Sequence, residues 1–540
     1  MVSQHSREVA RGSLWSLAGS AFFKLTSFAY VVMLAHAASQ DDIGVFYLAL
    51  SALSLVWVLS DLGISGAFLR YVPFYEGRNE HGKIKELFTI SYRYTTAFSF
   101  VLVAMLFYHA GGIGEFYSSP LLPDAIRMLS AYVLLGNLFR INYIYTQGRA
   151  DIKASQAYQN LQNLLKLVLT AALFWLYGPS VATIAAGFVL SFALALLASS
   201  IPVFRSVSSI AGGGSISRTE LVSEIVPLGI LIAVVQSFYT IVSSSDRLML
   251  GFMAGPAAAS GLVAVYTMAT TLALVLMVFP ASVGNIFLPV VSRLAGKNDM
   301  DAMRAAMATA QRWSLFITLP VAAVMVVFSG DMLAVFYGSS YAPGALAMSL
   351  FTLGMVASAF SYPIALTLTA LRLVRIELHV AAAVAGANVL LNLLLIPAFS
   401  MEGAAFASAA GFVLGAALFT HFAGKHIGFR HPPEAFRLLA AACGVLLIMG
   451  LAAPLLSGAA SGITGAAGAG EYMPKALYLA LLGALICASA ALFAAFAILL
   501  KCLHAEDAEL LRRALARGGV PAGLAIMAEN LALRGVARNE

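Results

Sequence analysis

Residues 180–204 read SVATIAAGFVLSFALALLASSIPVF, 25 residues without a charged side chain. As a helix this stretch is about 37 Å long, more than the roughly 30 Å hydrocarbon core of a bilayer. Lipid offers no partner for backbone N–H and C=O groups, so such a segment must satisfy them internally, as a helix does. Runs of this kind recur along the whole chain. The 540 residues are 61% hydrophobic and 11% charged, with a mean hydropathy of +0.88. A soluble domain carries about 25% charged residues. The composition therefore excludes a soluble enzyme, a disordered chain and a disulfide scaffold. It predicts an all-α membrane protein with fourteen spans, at 13–37, 43–67, 87–110, 123–147, 155–177, 180–204, 224–251, 260–288, 309–329, 344–370, 376–397, 402–424, 436–457 and 474–501. Gly178-Pro179 and Pro397 mark the tightest turns. The first apolar stretch, Leu14–Ala38, is too long for a cleaved leader and holds Lys24.

Lysine and arginine test this count. With the N-terminus in the cytoplasm and the spans alternating, the cytoplasmic segments hold 24 basic residues and the outer ones hold one, Lys475. The positive-inside bias places both termini in the cytoplasm of a multi-pass inner-membrane protein. The net charge of +7 thus marks topology and gives no sign of a nucleic-acid partner. No loop is large enough for a catalytic domain. The longest outer loop, Ser457–Met473, is a Gly/Ala/Ser-rich linker, and the tail after Leu503 reads as amphipathic helix.

The chain also repeats itself. Gly77-Arg78-Asn79-Glu80 resembles Gly296-Lys297-Asn298-Asp299 at an offset of 219. Phe116-Tyr117 matches Phe336-Tyr337, and AAGFVL occurs at both Ala185 and Ala409. Six spans repeating as six spans keep the same orientation, an arrangement found in secondary transporters. The expected organisation is a six-helix lobe at 1–204, a cytoplasmic linker at 205–223, a second six-helix lobe at 224–424, two extra helices at 425–503 and a cytoplasmic amphipathic tail at 504–540.

Seven cations fall within the spans, Lys24, Arg93, Arg127, Arg140, Lys166, Arg247 and Arg312, against only Asp61 and Asp246. A basic group at mid-membrane costs about 2.5–3.5 kcal/mol on insertion scales, so those that remain there need a reason. Arg93, Arg127 and Arg312 lie near span ends and can snorkel. Arg247 pairs with Asp246 or meets a substrate. Lys24, Arg140 and Lys166 are deeper. Lys24 continues the stripe Ser13, Ser16, Ser20, and Lys166 continues Gln156, Gln159, Asn163. Asn137 lies one turn before Arg140, and Gln236, Thr240 and Ser243 lead to Arg247. The serines read equally as helix-packing positions. The Gln/Asn stripe around Lys166 reads as the wall of a water-filled cavity. A basic cavity favours an anion, and arginine and lysine both suit phosphate. No Walker motif, HExxH, GxSxG or Cys/His cluster occurs, so no cofactor, metal or catalytic residue is expected.

Several stretches resemble a known family. They are RGSLWSLAGSAFFKLTSFAYVVMLA from Arg11, DDIGVFYLALSAL from Asp41, DLGISGAFLRYVPFYEGRNEHGKIKELF from Asp61, SSSDRLMLGFMAGPAAASGLVAVYTMA from Ser243 and FYGSSYAPGALAMSLF from Phe336. Over residues 8–430 the chain resembles the O-antigen-flippase type of polysaccharide transporters, in the multidrug/oligosaccharidyl-lipid/polysaccharide (MOP) exporter superfamily. The resemblance implies a V-shaped bundle of two six-helix lobes with spans 13 and 14 outside. It implies transfer of a polyprenyl-pyrophosphate-linked oligosaccharide between leaflets, with membrane lipids and a glycan polymerase or glycosyltransferases as partners. The basic placement of Lys24 is similar to that in related lipid-linked peptidoglycan-precursor flippases. Two other readings stay open, a cation-coupled multidrug extruder of the same superfamily and a non-transporting scaffold for glycan assembly. Seven membrane cations against two acids weigh against the extruder.

Overall fold

The computed structural model describes residues 2–61, 63–210, 215–255, 258–466 and 472–502. The amphipathic tail at 504–540 and part of the Ser457–Met473 linker lie outside them. Every regular element among the described residues is helical: α1 (Val2–Ala37), α2 (Gln40–Asp61), α3 (Ile64–Gly77), α4 (His81–Phe116), α5 (Leu122–Gly148), α6 (Ile152–Tyr177), α7 (Val181–Ser208), α8 (Arg218–Glu220), α9 (Val226–Met253), α10 (Ala259–Leu274), α11 (Val278–Gly296), α12 (Met300–Val327), α13 (Ser329–Tyr337), α14 (Ala345–Ala370), α15 (Val374–Ile427), α16 (Pro433–Ala466) and α17 (Tyr472–Leu499).

Eleven helical segments are long and apolar enough to cross a membrane. One of them, α15, has 54 residues and breaks at Ser400, where φ is 50°. The break falls three residues past Pro397, whose missing N–H interrupts the helical ladder. Two further helices, α5 and α6, are 27 and 26 residues long. They have the length to span but carry the polar and basic residues singled out above. With the split of α15, these account for every span read from the sequence.

Local chemistry explains the ends. The Asp151 carboxylate accepts the Ala154 N–H at 3.0 Å and caps α6. Helix α6 stops at Gly178, whose φ is 80°. Ser180 and Thr183 then form a reciprocal capping box that starts α7. The repeat is visible in the backbone as well. The Glu80 N–H returns to the Tyr75 carbonyl at 2.9 Å, and the Asp299 N–H, 219 residues on, returns to Leu294 at 3.1 Å. Asn79 and Asn298 hold positive φ at these turns, as do Ala150 and Arg372, and Gly178 and Ser400, each of the latter pairs 222 residues apart. Asparagine and glycine tolerate that region better than alanine or arginine, so the recurrence follows the turn rather than the residue.

The chain packs as two compact units, Met1–Met268 with Val389–Ala404, and Ala269–Asn388 with Ala405–Glu540. Packing and repetition thus divide the chain at different places. In the first unit α4, α5 and α7 pack together, α1 lies on α6, and α9 lies on α2 and α3. Small residues permit the last approach: Gly63, at φ 72°, lies so close to Gly229 that a methyl group would overlap the Gly229 carbonyl. Tyr71, Tyr75, Ile84, Leu87, Phe88 and Tyr145 form the core at one end of this unit. In the second unit α12 is central, packed by α11, α14, α16 and α17. Gln311, Ser314 and Thr318 of α12 are fully buried. Gln311 donates to the Phe360 carbonyl at 2.9 Å and Ser314 to the Ala359 carbonyl at 3.1 Å.

Candidate functional site

The polar stripe of α6 faces Gly19, Thr26 and Ser27 of α1. The side chain of Gln156 fills the space beside Gly19. Seven residues further along both helices, Asn163 donates to Thr26 Oγ1 at 2.5 Å, to Ser27 Oγ at 2.9 Å and to the Phe23 carbonyl at 2.9 Å. One turn beyond, the Lys166 ammonium lies 4.5 Å from the centre of the Tyr30 ring. Contacts advance in the same direction on both helices, so α1 and α6 run parallel, as two odd-numbered spans must. The ring face supplies negative potential that offsets part of the cost of a cation away from water. Lys166 is half-buried, Gln159 is half-buried and Lys24 is exposed on α1.

A second basic group forms around α2. Its residues Ser51, Ser54, Trp57 and Asp61 recur at helical spacing and share a face. The Arg140 guanidinium of α5 sits 4.5 Å from the Trp57 ring centre, with its Nε 4.0 Å from an Asp61 oxygen. Trp57 in turn stacks on Tyr132 with 6.1 Å between ring centres. Arg247 of α9 donates from Nε to Ser51 Oγ at 2.7 Å and from Nη2 to the Ser243 carbonyl at 2.7 Å. Ser54 and Ser244 are 2.8 Å apart. A cavity of about 320 Å3 opens here, lined by Trp57, Tyr132, Ser51, Ser243 and Arg247 among others. Within this unit, then, one arginine held by a hydroxyl and a backbone carbonyl lines an aromatic cavity. A second is stacked on an aromatic wall of the same cavity.

The remaining sequence candidates fall in different settings. Asn137 is buried, and its amide donates to Ser60 Oγ at 2.5 Å, Ser99 Oγ at 3.1 Å and the Val133 carbonyl at 2.7 Å. It ties α5 to α2 and α4. Asn163 is likewise buried between α6 and α1. Gln236 and Ser243 are exposed on α9. Asp246 is buried and accepts from Tyr266 Oη and, at 2.7 Å, from Asn392 Nδ2. Arg247 and Asp246 are therefore held by different partners. Arg93 is exposed, and Arg127 pairs with Asp124 at 2.9 Å. Among the described residues no three His, Cys, Asp or Glu side chains are grouped to hold a metal ion. The residues missed from sequence are Tyr47, Ser51, Ser54, Trp57 and Tyr132, all of which line the aromatic cavity. The α2 stripe that carries four of them was present in the sequence but holds no lysine or arginine to attract attention.

A family model described as polysaccharide biosynthesis protein matches residues 33–346, and the chain belongs to that family. An uncharacterized membrane protein of Methanocaldococcus jannaschii is 22% identical over 435 residues, covering 76% of this chain and 83% of that protein. The probable low-salt glycan biosynthesis flippase Agl15 of Haloferax volcanii is 21% identical over 168 residues, 31% of this chain and 36% of that one. Among solved structures, the lipid II flippase MurJ in an inward closed conformation superposes with a TM-score of 0.68 at 15% identity, covering 89% of this chain and 98% of that one. An inward-facing multidrug resistance MATE family transporter of the MOP superfamily gives 0.61 at 13% identity, over 75% and 94%. The fold is that of the MOP-superfamily transporters, and the chain is a multi-pass membrane protein of the polysaccharide biosynthesis family.

Proposed function

We propose that this chain moves an anionic polyprenyl-pyrophosphate-linked oligosaccharide across the cytoplasmic membrane by alternating access, in cell-surface polysaccharide biosynthesis. The observation that carries the reading is the excess of basic groups within the spans. Arg140 lies on Trp57, Lys166 lies on Tyr30, and Arg247 lines an aromatic cavity. The two basic groups suit the phosphates, arginine as a fork of donors and lysine as a point charge. Lys24 adds a further cation on α1. The prenyl chain can remain in lipid while the polar headgroup crosses. Both termini lie in the cytoplasm in this reading, from the distribution of loop cations. A cation-coupled drug extruder shares the fold, but it needs acidic groups to receive cationic substrates. The aromatic cavity presents Arg247 instead.

The test is a deletion strain whose membrane lipids are extracted and separated. A lipid-linked oligosaccharide should accumulate on the inner leaflet and clear when the intact gene is restored, but not when the Lys166→Ala, Arg140→Ala double variant is. Altered sensitivity to cationic drugs without lipid accumulation would point to the extruder instead.

A further inference from the structure

A second cavity, of about 310 Å3, lies where α5 ends and α6 begins, against α7. Its volume is at the lower end of the range for small-molecule pockets, roughly 300–1,000 Å3. Its walls include Tyr145, Arg149, Asp151, Tyr158 and Ser206. Arg149 Nε is 3.3 Å from a Glu76 carboxylate oxygen, and its two terminal nitrogens make no hydrogen bond among the described residues. Asp151 uses one carboxylate oxygen to cap α6. Tyr145 Oη and Ser206 Oγ are 3.0 Å apart, with exchangeable donor and acceptor roles. Tyr158, half-buried, contributes a ring.

This cavity differs in kind from the basic groups above it. The Arg149 charge is opposed by Glu76 and Asp151, so the lining is close to neutral and does not select an anion. What it offers is a fork of donors, a carboxylate acceptor, two hydroxyls and aromatic surface. That combination matches a ring bearing adjacent hydroxyl groups, which donate and accept at once and present C–H faces to aromatics. The placement fits as well. Arg149 is nine residues from Arg140 on α5, and Tyr158 is eight residues from Lys166 on α6, so the cavity lies about 12–14 Å along the helices from the basic groups. In the topology proposed above, this is the cytoplasmic side.

We propose that this cavity is a saccharide subsite that holds a sugar ring of the substrate on the cytoplasmic side while the basic groups hold its phosphates. The proposal rests on the flippase reading for the identity of the ligand. It adds a neutral, sugar-selective station that the basic residues do not supply.

The test uses the full chain in nanodiscs, with two separate probes. Saturation-transfer NMR reports binding of N-acetylglucosamine, glucose, galactose and mannose, each added alone. Phosphorus NMR line broadening reports binding of inorganic pyrophosphate. At least one sugar should receive saturation. Tyr158→Ala and Asp151→Asn should each weaken its binding by about fivefold or more, equivalent to roughly 1 kcal/mol. Asparagine also caps helices, so Asp151→Asn keeps the start of α6 intact. Pyrophosphate broadening should fall in Lys166→Ala and persist in Tyr158→Ala. Absence of saturation for all four sugars would overturn the proposal. So would sugar binding that survives both cavity substitutions, or pyrophosphate binding that is lost with Tyr158→Ala. Sugar binding that depends on the cavity, with no pyrophosphate binding at all, would support this subsite and count against the phosphate reading of the basic groups.

Discussion

Replacing Asn137 with alanine separates a packing role from a transport role. The Asn137 amide makes two bonds to other helices, to Ser60 on α2 and to Ser99 on α4, and a third to its own helix at Val133. Interhelical hydrogen bonds in membranes average about 0.6 kcal/mol and reach about 1.7. Two of them give about 1–3 kcal/mol, a roughly 5- to 150-fold shift in the folded-to-unfolded ratio. Titrating the purified protein from mild detergent into dodecyl sulfate, followed by circular dichroism, measures that loss. Asn137→Ala should unfold at lower dodecyl sulfate, while the transport rate per folded molecule stays near that of the parent chain. Unchanged stability together with lost transport would refute the reasoning. It would mean that the Asn137 side chain faces the substrate path and that its bonds to Ser60 and Ser99 contribute nothing.

Other outcomes follow from single contacts. Gly63→Ala combines a left-handed backbone with overlap on the Gly229 carbonyl, so folded protein recovered by size exclusion should fall sharply. Trp57→Ala removes the ring beneath Arg140, an interaction of about 0.5–2 kcal/mol; initial transport rates should drop roughly 2- to 30-fold, with Trp57→Phe intermediate. In a chain whose Cys443, Cys487 and Cys502 are replaced by alanine, a cysteine at Ser119 should react with an impermeant maleimide in intact cells, whereas one at Ser209 should not. The reverse pattern would invert the topology.

Much of the architecture was legible because bilayer physics leaves few choices. A run such as residues 180–204 can only be a spanning helix. The stripes Gln156–Gln159–Asn163–Lys166 and Ser16–Ser20–Lys24–Ser27 could be read as faces from spacing alone, since helical period is a local property. Which helix each face meets is not local. Nothing in the α6 sequence says that Asn163 will bond to Thr26 and Ser27, or that Lys166 will lie on Tyr30. The same holds for Arg140, whose neighbours Trp57 and Asp61 come from a helix about 80 residues earlier. A search guided by charge also favoured lysines and arginines, and so passed over α2, where serines and a tryptophan build the wall. The spans 376–397 and 402–424 left a turn at 398–401 beside Pro397, and α15 breaks within it, at Ser400.

The measurement closest to the central claim is reconstitution. Purified protein in liposomes, loaded on one leaflet with a fluorescent polyprenyl-pyrophosphate disaccharide, is challenged with a membrane-impermeant quencher. The account predicts protein-dependent exposure of the label, lost in the Arg140→Ala, Lys166→Ala double variant. Exposure that is equal in the variant, or no faster than in protein-free liposomes, would contradict it.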